Sequence, residues 1–213
     1  MAAIADNLQA IRARIGTVTL LAVSKGQGTE KIAAAMAAGQ RAFGENYVQE
    51  ALAKMDCIAG AEWHLIGPLQ SNKTRVVAER FDWVQTVASE KIAKRLSEQR
   101  PAHLPPLNVL IQVNASGEAS KSGVAPEELS QLAASIQHLP NLRLRGLMAI
   151  PEPGAPRERY RQVKRLYDDL KTEFGFDTLS LGMSDDLDMA IAEGSTMVRV
   201  GTAIFGARQR KAA

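Results

Sequence analysis

The feature that most constrains the fold is a regular alternation of short apolar runs with helix-like segments. Eight runs are apolar, and rich enough in β-branched and aromatic residues, to form buried strands. They cover residues 17–23, 41–43, 62–66, 82–87, 107–113, 142–148, 178–181 and 197–200. Strands that alternate with helices build a parallel sheet, and eight of them predict a closed (β/α)8 barrel of the TIM type. An open, doubly wound sheet is the alternative, because its strands have the same pattern.

Eight such units leave no space for a second domain in 213 residues, so we predict one α/β domain over residues 1–213. We also expect a helix at the N-terminus. Helical periodicity is clear in four of the intervening segments, which span residues 29–39, 89–99, 125–139 and 156–175. Thr29 is the predicted N-cap of the first segment and Gly39 its end. Tyr160 and Tyr167 are predicted on the core face of the last segment.

Composition excludes several classes of protein. The 26 basic and 23 acidic residues give a net charge of +3, which is too balanced to indicate nucleic-acid binding. The single cysteine, Cys57, cannot form an internal disulfide and has no cysteine partner for a metal site. The N-terminal stretch carries Asp6 and no long apolar run, so it is neither a secretory signal nor a membrane span. We therefore expect a cytoplasmic protein without metal, membrane or nucleic-acid partners.

Lys25 stands where the first apolar run ends, in the stretch LLAVSKGQG. Functional residues of TIM barrels lie at the carboxyl ends of strands. Because strand side chains alternate between faces, a Val23 that points into the barrel places Lys25 in its mouth. A lysine amine in that position can act as a nucleophile toward a carbonyl group. A lysine that reaches solvent from a strand end is the simpler alternative.

The loops after the seventh and eighth strands carry hydroxyl groups and glycines. In LSLGMSDDLDMAIAEG, Ser184 is the predicted N-cap of a short helix. In VGTAIFG, Gly201 lets the backbone approach a ligand, and Thr202 offers a hydroxyl and an N–H. Phosphate sites in these barrels are commonly built from these two loops. The pattern predicts a phosphate site, and the alternative is a Ser184 that only caps its helix.

Arg199 lies inside the eighth apolar run, between Val198 and Val200. If both valines face the surrounding helices, Arg199 faces the barrel interior. A buried guanidinium is costly without a partner. The partner is either a carboxylate in a structural ion pair or an acceptor on a ligand, and the sequence leaves both open.

An amine, a phosphate site and a fixed cation at one barrel mouth suit pyridoxal 5′-phosphate. Its aldehyde requires a lysine, its phosphate a set of donors, and its ring nitrogen a partner. An arginine cannot accept the ring proton, so Arg199 would keep the ring nitrogen unprotonated and weaken its use as an electron sink. The residues therefore predict a pyridoxal phosphate protein with mild chemistry or none.

Seven motifs resemble the pyridoxal phosphate homeostasis proteins, single-domain relatives of the alanine racemase barrel. In chain order they are AVSKGQ, FGENYVQE, WHLIGPLQSNK, VNASGEASKSGV, RGLMAI, LGMSDDLDMAI and GSTMVRVGTAIFGAR. They occur in the same order as in that family and cover nearly the whole chain, from about residue 17 to residue 208. The resemblance therefore implies an alanine-racemase-like barrel.

The resemblance also implies roles for individual residues. It places pyridoxal phosphate on Lys25 as a Schiff base, with Arg199 at the ring. The cofactor-binding residues that it implies are Lys25, Asn46, Ser184, Arg199, Gly201 and Thr202. His64 lies in a shared motif, and we expect it to be a hydrogen-bonded strand histidine.

Members of the family resemble carriers or buffers of pyridoxal phosphate more than they resemble enzymes. The resemblance implies a protein that keeps the reactive aldehyde masked and affects vitamin B6 and amino-acid pools. We accordingly expect no efficient catalysis, a monomer, and pyridoxal-phosphate-dependent apo-enzymes as recipients of the cofactor.

Three other functions compete with the carrier. A pyridoxal-phosphate-dependent amino-acid racemase would need a second acid–base group opposite Lys25. A Schiff-base aldolase would need an acid–base group beside the lysine, and the sequence offers no convincing pair. A binding module for another phosphate ester would use Lys25 for its charge alone.

Overall fold

The eight predicted strands all form in a computed structural model that describes residues 2–115 and 122–207. Each strand pairs in parallel with the next one along the chain, and the first pairs with the last, which closes the barrel. The predicted (β/α)8 barrel is confirmed, and the open sheet is excluded. The strands are β1 (Thr19–Val23), β2 (Ala42–Glu45), β3 (Glu62–Leu65), β4 (Trp83–Val87), β5 (Leu107–Gln112), β6 (Leu142–Met148), β7 (Thr178–Ser180) and β8 (Met197–Val200).

Helices follow the strands and cover the outside of the barrel. The predicted N-terminal helix is also present, and it packs on the first helix of the barrel and on the last. The helices are α1 (Ala2–Ile15), α2 (Thr29–Ala37), α3 (Val48–Met55), α4 (Thr74–Arg80), α5 (Glu90–Gln99), α6 (Leu129–Gln137), α7 (Arg157–Phe174), α8 (Leu187–Ala192) and α9 (Thr202–Phe205).

The helical pattern of the sequence predicts the buried face of α7 and the end of α2 correctly, and it predicts the N-cap of α2 incorrectly. Tyr160 and Tyr167 are buried on the core face of α7, as predicted. Gly39 follows α2 with a left-handed φ of +83°, which ends the helix as predicted. Thr29, however, is the first helical residue and not the N-cap. Gly28 occupies the cap position without a side-chain hydrogen bond.

The strand boundaries differ from the apolar runs by up to two residues at either end. β1 begins at Thr19 and not at residue 17, and β7 ends at Ser180, so Gly182 belongs to the following loop. Most apolar runs extend past the paired residues, because apolar side chains also pack where pairing has stopped, whereas β2 continues to Glu45, two residues beyond its run. The extra loop residues at the carboxyl ends are the ones that surround the barrel mouth.

Two stretches of the predicted motifs lie outside the described residues. They are residues 116–121 within VNASGEASKSGV and Arg208 at the end of the last motif. Across residues 2–115 and 122–207, none of the helices combines the length and apolar character needed to cross a bilayer.

Candidate functional site

A cavity of about 450 Å³ opens at the carboxyl ends of the barrel strands. This volume lies within the roughly 300–1,000 Å³ of small-molecule pockets. All six residues singled out in the sequence line it, namely Lys25, Asn46, Ser184, Arg199, Gly201 and Thr202. The barrel thus brings together residues that are up to 177 positions apart in the chain.

Lys25 reaches the cavity because β1 ends two residues earlier. Val23, the last residue of β1, also lines the cavity, so the predicted alternation from Val23 to Lys25 is confirmed. Lys25 is half-buried, in a turn that joins β1 to α2. Its side chain is therefore accessible from the cavity without being fully solvated.

Both neighbours of Lys25 are held by three charged side chains, the buried Glu45 and Lys54 and the partly exposed Glu50. The Lys54 Nζ donates to the Ser24 carbonyl and to the Oε1 atoms of both glutamates, at 2.7 Å each. On one side of Lys25 the Ser24 hydroxyl donates to Glu45, and on the other the Gly26 N–H donates to Glu50. The three charged side chains therefore fix the turn that presents Lys25.

The same group shows competing electrostatic effects. Burial raises the pKa of Glu45, while the hydrogen bonds from Lys54 and Ser24 act in the opposite direction.

Sequence reasoning missed the three charged residues Glu45, Glu50 and Lys54. The signal was available in FGENYVQEALAK, where Glu50 and Lys54 stand four positions apart on one helix.

Asn46 follows β2 directly, lines the cavity and carries a buried polar atom. Its Oδ1 is enclosed by the protein and has no hydrogen-bond partner in the structure. A buried polar atom without a partner costs free energy, roughly 1–3 kcal/mol. A ligand that donates a hydrogen bond to Asn46 would remove that cost.

The loop after β7 differs in detail from its prediction. Ser184 does not cap a helix, because α8 begins at Leu187 and Asp186 holds the cap position. Asp186 accepts from the Met183 N–H and from the Tyr160 hydroxyl, both at 2.6 Å, so its carboxylate is used within the loop. The Ser184 side chain lines the cavity and is not consumed as a cap.

The loop after β8 approaches β1 closely at Gly201. A Cβ atom at this position would lie 3.2 Å from the Val23 carbonyl oxygen, which is tighter than ordinary packing. Thr202, the first residue of α9, follows Gly201 and lines the same cavity as Ser184. The structure thus places both predicted loops at one side of one cavity, as TIM-barrel phosphate sites require.

Arg199 projects into the barrel between two valines that are themselves buried. Its Nη1 donates to the Ser180 carbonyl and hydroxyl at 2.8 and 2.7 Å, and its Nη2 donates to the Ala149 carbonyl at 2.8 Å. These partners are neutral oxygens, so the predicted alternative of a structural ion pair is not what holds the side chain. Burial lowers the pKa of Arg199 to about 10, which leaves the guanidinium charged near neutral pH.

His64 is a buried, fully hydrogen-bonded strand residue, as expected. Its Nε2 lies 2.8 Å from Glu62 Oε1, its Nδ1 lies 2.9 Å from Gln85 Nε2, and its ring stacks on Trp83. Burial lowers the pKa of His64, although Glu62 and Asp82 act in the opposite direction. The folded protein therefore prefers a neutral His64.

This preference predicts a pH-dependent stability. An unfolded histidine takes up a proton below about pH 6.5, whereas the folded His64 does not. The free energy of unfolding should therefore fall below that pH, by up to about 1.4 kcal/mol per pH unit. Denaturant unfolding at a series of pH values should show this slope in the wild type and lose it in His64→Gln. The exposed His138 provides the control, since His138→Gln should keep the slope. An unchanged slope in His64→Gln contradicts the assignment.

The tyrosines do not reach the cavity. Tyr160 donates to Asp186 and Tyr167 to the Phe176 carbonyl, while Tyr47 is 66% exposed at the start of α3. Burial and the contact with Asp186 raise the pKa of Tyr160. The Tyr160 hydroxyl nevertheless bonds the loop that carries Ser184.

The donor set fits pyridoxal phosphate. The cavity is lined by the Lys25 amine, by the hydroxyls of the loops after β7 and β8, and by a guanidinium held by neutral acceptors. The unpartnered Asn46 Oδ1 adds an acceptor. Apolar side chains that the sequence reasoning missed, including Ile66, Ile150 and Met183, also line the cavity and offer surface against which an aromatic ring can pack.

Comparisons with known proteins agree with the fold. The alanine racemase N-terminal domain family matches residues 1–209. The pyridoxal phosphate homeostasis proteins of Pseudomonas aeruginosa and Escherichia coli K12 are 56% and 55% identical to this chain. Each alignment covers 98% of this chain and at least 95% of the relative.

Two solved structures show the same architecture. The PipY structure of Synechococcus elongatus with PLP bound is 36% identical, has a TM-score of 0.86, and is matched over 95% of this chain and 100% of PipY. Alanine racemase from Corynebacterium glutamicum is 21% identical with a TM-score of 0.80, which shows a shared fold. This chain covers 63% of that racemase. The chain therefore belongs to the alanine racemase N-terminal domain family and, within it, to the pyridoxal phosphate homeostasis proteins.

Proposed function

We propose that this protein binds pyridoxal 5′-phosphate as a Schiff base on Lys25 and acts as a carrier or buffer of the cofactor in vitamin B6 homeostasis. The observation that carries the proposal is the single cavity that Lys25, Arg199 and the loops after β7 and β8 share. The names of relatives at about 55% identity, and a related structure with PLP bound, support the same cofactor.

Each side chain has a separate task in this proposal. The Lys25 amine adds to the aldehyde carbon and a water molecule leaves, a reaction that water reverses. Ser184 and Thr202 donate hydroxyl hydrogen bonds to the phosphate, and Gly201 lets the backbone come close. Asn46 accepts a hydrogen bond through its buried Oδ1.

Arg199 determines how reactive the bound cofactor is. When bound, pyridoxal phosphate supplies an electron sink whose strength depends on a protonated ring nitrogen. A guanidinium only donates, so Arg199 leaves that nitrogen unprotonated. The oxygens that hold Arg199 belong to two carbonyls and a hydroxyl, so none of them is a carboxyl group that could protonate the ring nitrogen. The site therefore favours reversible binding over carbanion chemistry.

A carrier must also release what it holds. We propose that residues 1–213 act as a single, monomeric domain that passes the cofactor to pyridoxal-phosphate-dependent apo-enzymes and thereby affects amino-acid pools. Lys25 is only half-buried and the cavity opens at the barrel mouth, which gives water access to the linkage. Transfer from the loaded protein to such apo-enzymes in solution is the corresponding assay.

The phosphate contacts predict a measurable loss of affinity. Hydrogen bonds to charged groups contribute roughly 1.5–3 kcal/mol, so Thr202→Val should weaken pyridoxal phosphate binding about tenfold or more. Pyridoxal, which lacks the phosphate, should bind far more weakly to the wild type. Titration followed by absorbance measures both. Thr202→Ser keeps the hydroxyl and should stay near wild type, whereas equal affinities for pyridoxal and its phosphate would contradict the phosphate site.

An amino-acid racemase is the competing function. It requires acid–base groups on both faces of the bound amino acid, and the described residues that line the cavity include no tyrosine. Asp185, which does line the cavity, is exposed and is the remaining side chain that could serve. We expect amino acids to react with the bound cofactor but to turn over negligibly.

Exchange at the α-carbon separates the two functions. Alanine and serine are incubated with the loaded protein in deuterated water, and exchange and racemisation are followed by mass spectrometry and chiral chromatography. The carrier predicts neither at a significant rate. Turnover of about 1 s⁻¹ or more, the lower end of typical enzyme values, that disappears in Lys25→Ala would establish the enzyme instead.

A further inference from the structure

A line of buried polar side chains crosses the barrel interior beneath the cavity. It runs from Arg199 on β8 through Ser180, Gln85 and His64 to Glu62 at the start of β3. The successive polar atoms are 2.7, 2.7, 2.9 and 2.8 Å apart. The three middle residues are fully buried, whereas the Glu62 side chain is 48% exposed. Side chains of β8 and β7 thus meet side chains of β4 and β3 across the barrel.

The chemistry of Arg199 sets the direction of every hydrogen bond in this line. A guanidinium only donates, so Ser180 Oγ accepts from Nη1 and donates its own proton to Gln85 Oε1. The Gln85 amide nitrogen then faces His64, whose Nδ1 must accept. The His64 proton is therefore on Nε2, where it is donated to Glu62.

The opposite arrangement leaves buried groups unsatisfied. With the Gln85 amide turned over, its nitrogen and Arg199 would both donate to Ser180 Oγ, and the Ser180 proton would lose its acceptor. His64 would then carry a proton on Nδ1. It would either lose its bond to Glu62 or become charged in a fully buried position.

Ser180 is the member of the line that touches Arg199. Its carbonyl and hydroxyl both accept from Nη1, while the Ala149 carbonyl accepts from Nη2. These three acceptors fix the plane of the guanidinium. They leave its other N–H groups available to an acceptor in the cavity that Arg199 lines.

We propose that Ser180, Gln85 and His64 are positioning residues for Arg199, and that their one-way hydrogen bonds orient the guanidinium toward the cofactor ring. The part that concerns the ring rests on the proposed function. The part that concerns the line of hydrogen bonds does not, because it is a property of the protein without a ligand. The two parts are therefore tested separately.

The first test uses cofactor-free protein and NMR of the His64 ring nitrogens. The wild type should show the tautomer with the proton on Nε2. Gln85→Glu replaces the amide N–H that faces His64 Nδ1 with an acceptor oxygen, so it should move the proton to Nδ1 or protonate both nitrogens. Ser195→Ala removes another buried hydroxyl and should leave the wild-type pattern unchanged. The acceptors within reach of the single Ser195 hydroxyl proton are the backbone carbonyls of Leu179, Leu181 and Met197.

The second test measures pyridoxal 5′-phosphate binding and the absorption maximum of the bound cofactor. Ser180→Ala should weaken binding about tenfold, as for the loss of one hydrogen bond to a charged group, and should shift the maximum. Ser195→Ala should do neither. Because a general loss of packing would affect both serine variants alike, a spectral shift confined to Ser180→Ala supports a positioning role.

The outcomes distinguish the possible failures. A wild-type His64 with its proton on Nδ1 overturns the direction of the hydrogen bonds. Ser180→Ala and Ser195→Ala with the same affinity and spectrum overturn the positioning of Arg199. If Ser180→Ala does not fold, the absorption maximum of the cofactor bound to Gln85→Glu is compared with that of Ser195→Ala in its place. A wild type that binds no pyridoxal phosphate overturns the proposed function and the link to the ring, while the NMR result still decides whether the line exists.

Discussion

Replacing Lys25 with alanine should abolish covalent binding of pyridoxal phosphate and remove the visible absorption band of the loaded protein. The physical reason is that, among the described residues, Lys25 supplies the amine that lines the cavity, just after the end of β1. Absorbance and equilibrium dialysis of the variant measure the effect. Residual binding through the phosphate contacts should be weak and readily removed by dialysis.

The control for this variant is a lysine outside the cavity lining. Lys91 is an exposed residue of α5, and Lys91→Ala should keep both the band and the affinity of the wild type. A Lys25→Ala protein that retains the absorption band would show that another amine holds the cofactor.

Replacing Lys54 with alanine should destabilise the protein by about 3–5 kcal/mol. The change removes the cation that contacts Glu45 and Glu50 and leaves Glu45, which is fully buried, with an uncompensated charge. Urea denaturation followed by circular dichroism measures the free energy of unfolding. The turn around Lys25 should also loosen, so pyridoxal phosphate should bind more slowly to the folded fraction.

A second lysine of the same geometry gives the matched control. Lys94 pairs with Glu90 four residues earlier, as Lys54 does with Glu50, but both partners are exposed. Lys94→Ala should therefore cause no measurable loss of stability. The double variant Lys54→Met with Glu45→Leu should recover much of the loss, because it removes both buried charges. A loss below about 1 kcal/mol in Lys54→Ala contradicts a buried, coupled group.

The barrel itself could be predicted from the sequence because its signal is local and repeated. Each strand is a short apolar run that the chain must bury on both faces, and eight repeats exclude most other architectures. The ends of the helices and strands were predicted less accurately. Thr29 looked like a cap, but Gly28 lies at the cap and Thr29 in the helix, since several backbone conformations satisfy the same short polar stretch.

The site could be predicted only where its residues stand at strand ends. Lys25, Gly201 and Thr202 follow directly from that rule, and Arg199 follows from strand alternation. The hydrogen-bond line through Ser180 and Gln85 could not be predicted, because its members come from strands that are distant in the sequence and meet only inside the closed barrel.

The charged side chains Glu45, Glu50 and Lys54 could not be predicted as neighbours of the site for a different reason. An isolated Glu–Lys pair at a spacing of four residues is usually a solvated surface pair of little energetic weight. Here α3 turns Lys54 inward, where it contacts Ser24 and Glu45 as well as Glu50, so the pair supports the turn that carries Lys25. Burial, which the local pattern did not reveal, decides its role.

The central claim is that Lys25 carries the cofactor, and chemical reduction tests it most directly. The wild-type protein is loaded with pyridoxal 5′-phosphate, reduced with borohydride and digested, and the modified peptide is identified by mass spectrometry. The account predicts a single stoichiometric modification on the peptide that contains Lys25. Modification at another lysine, or at many lysines in low yield, would contradict it.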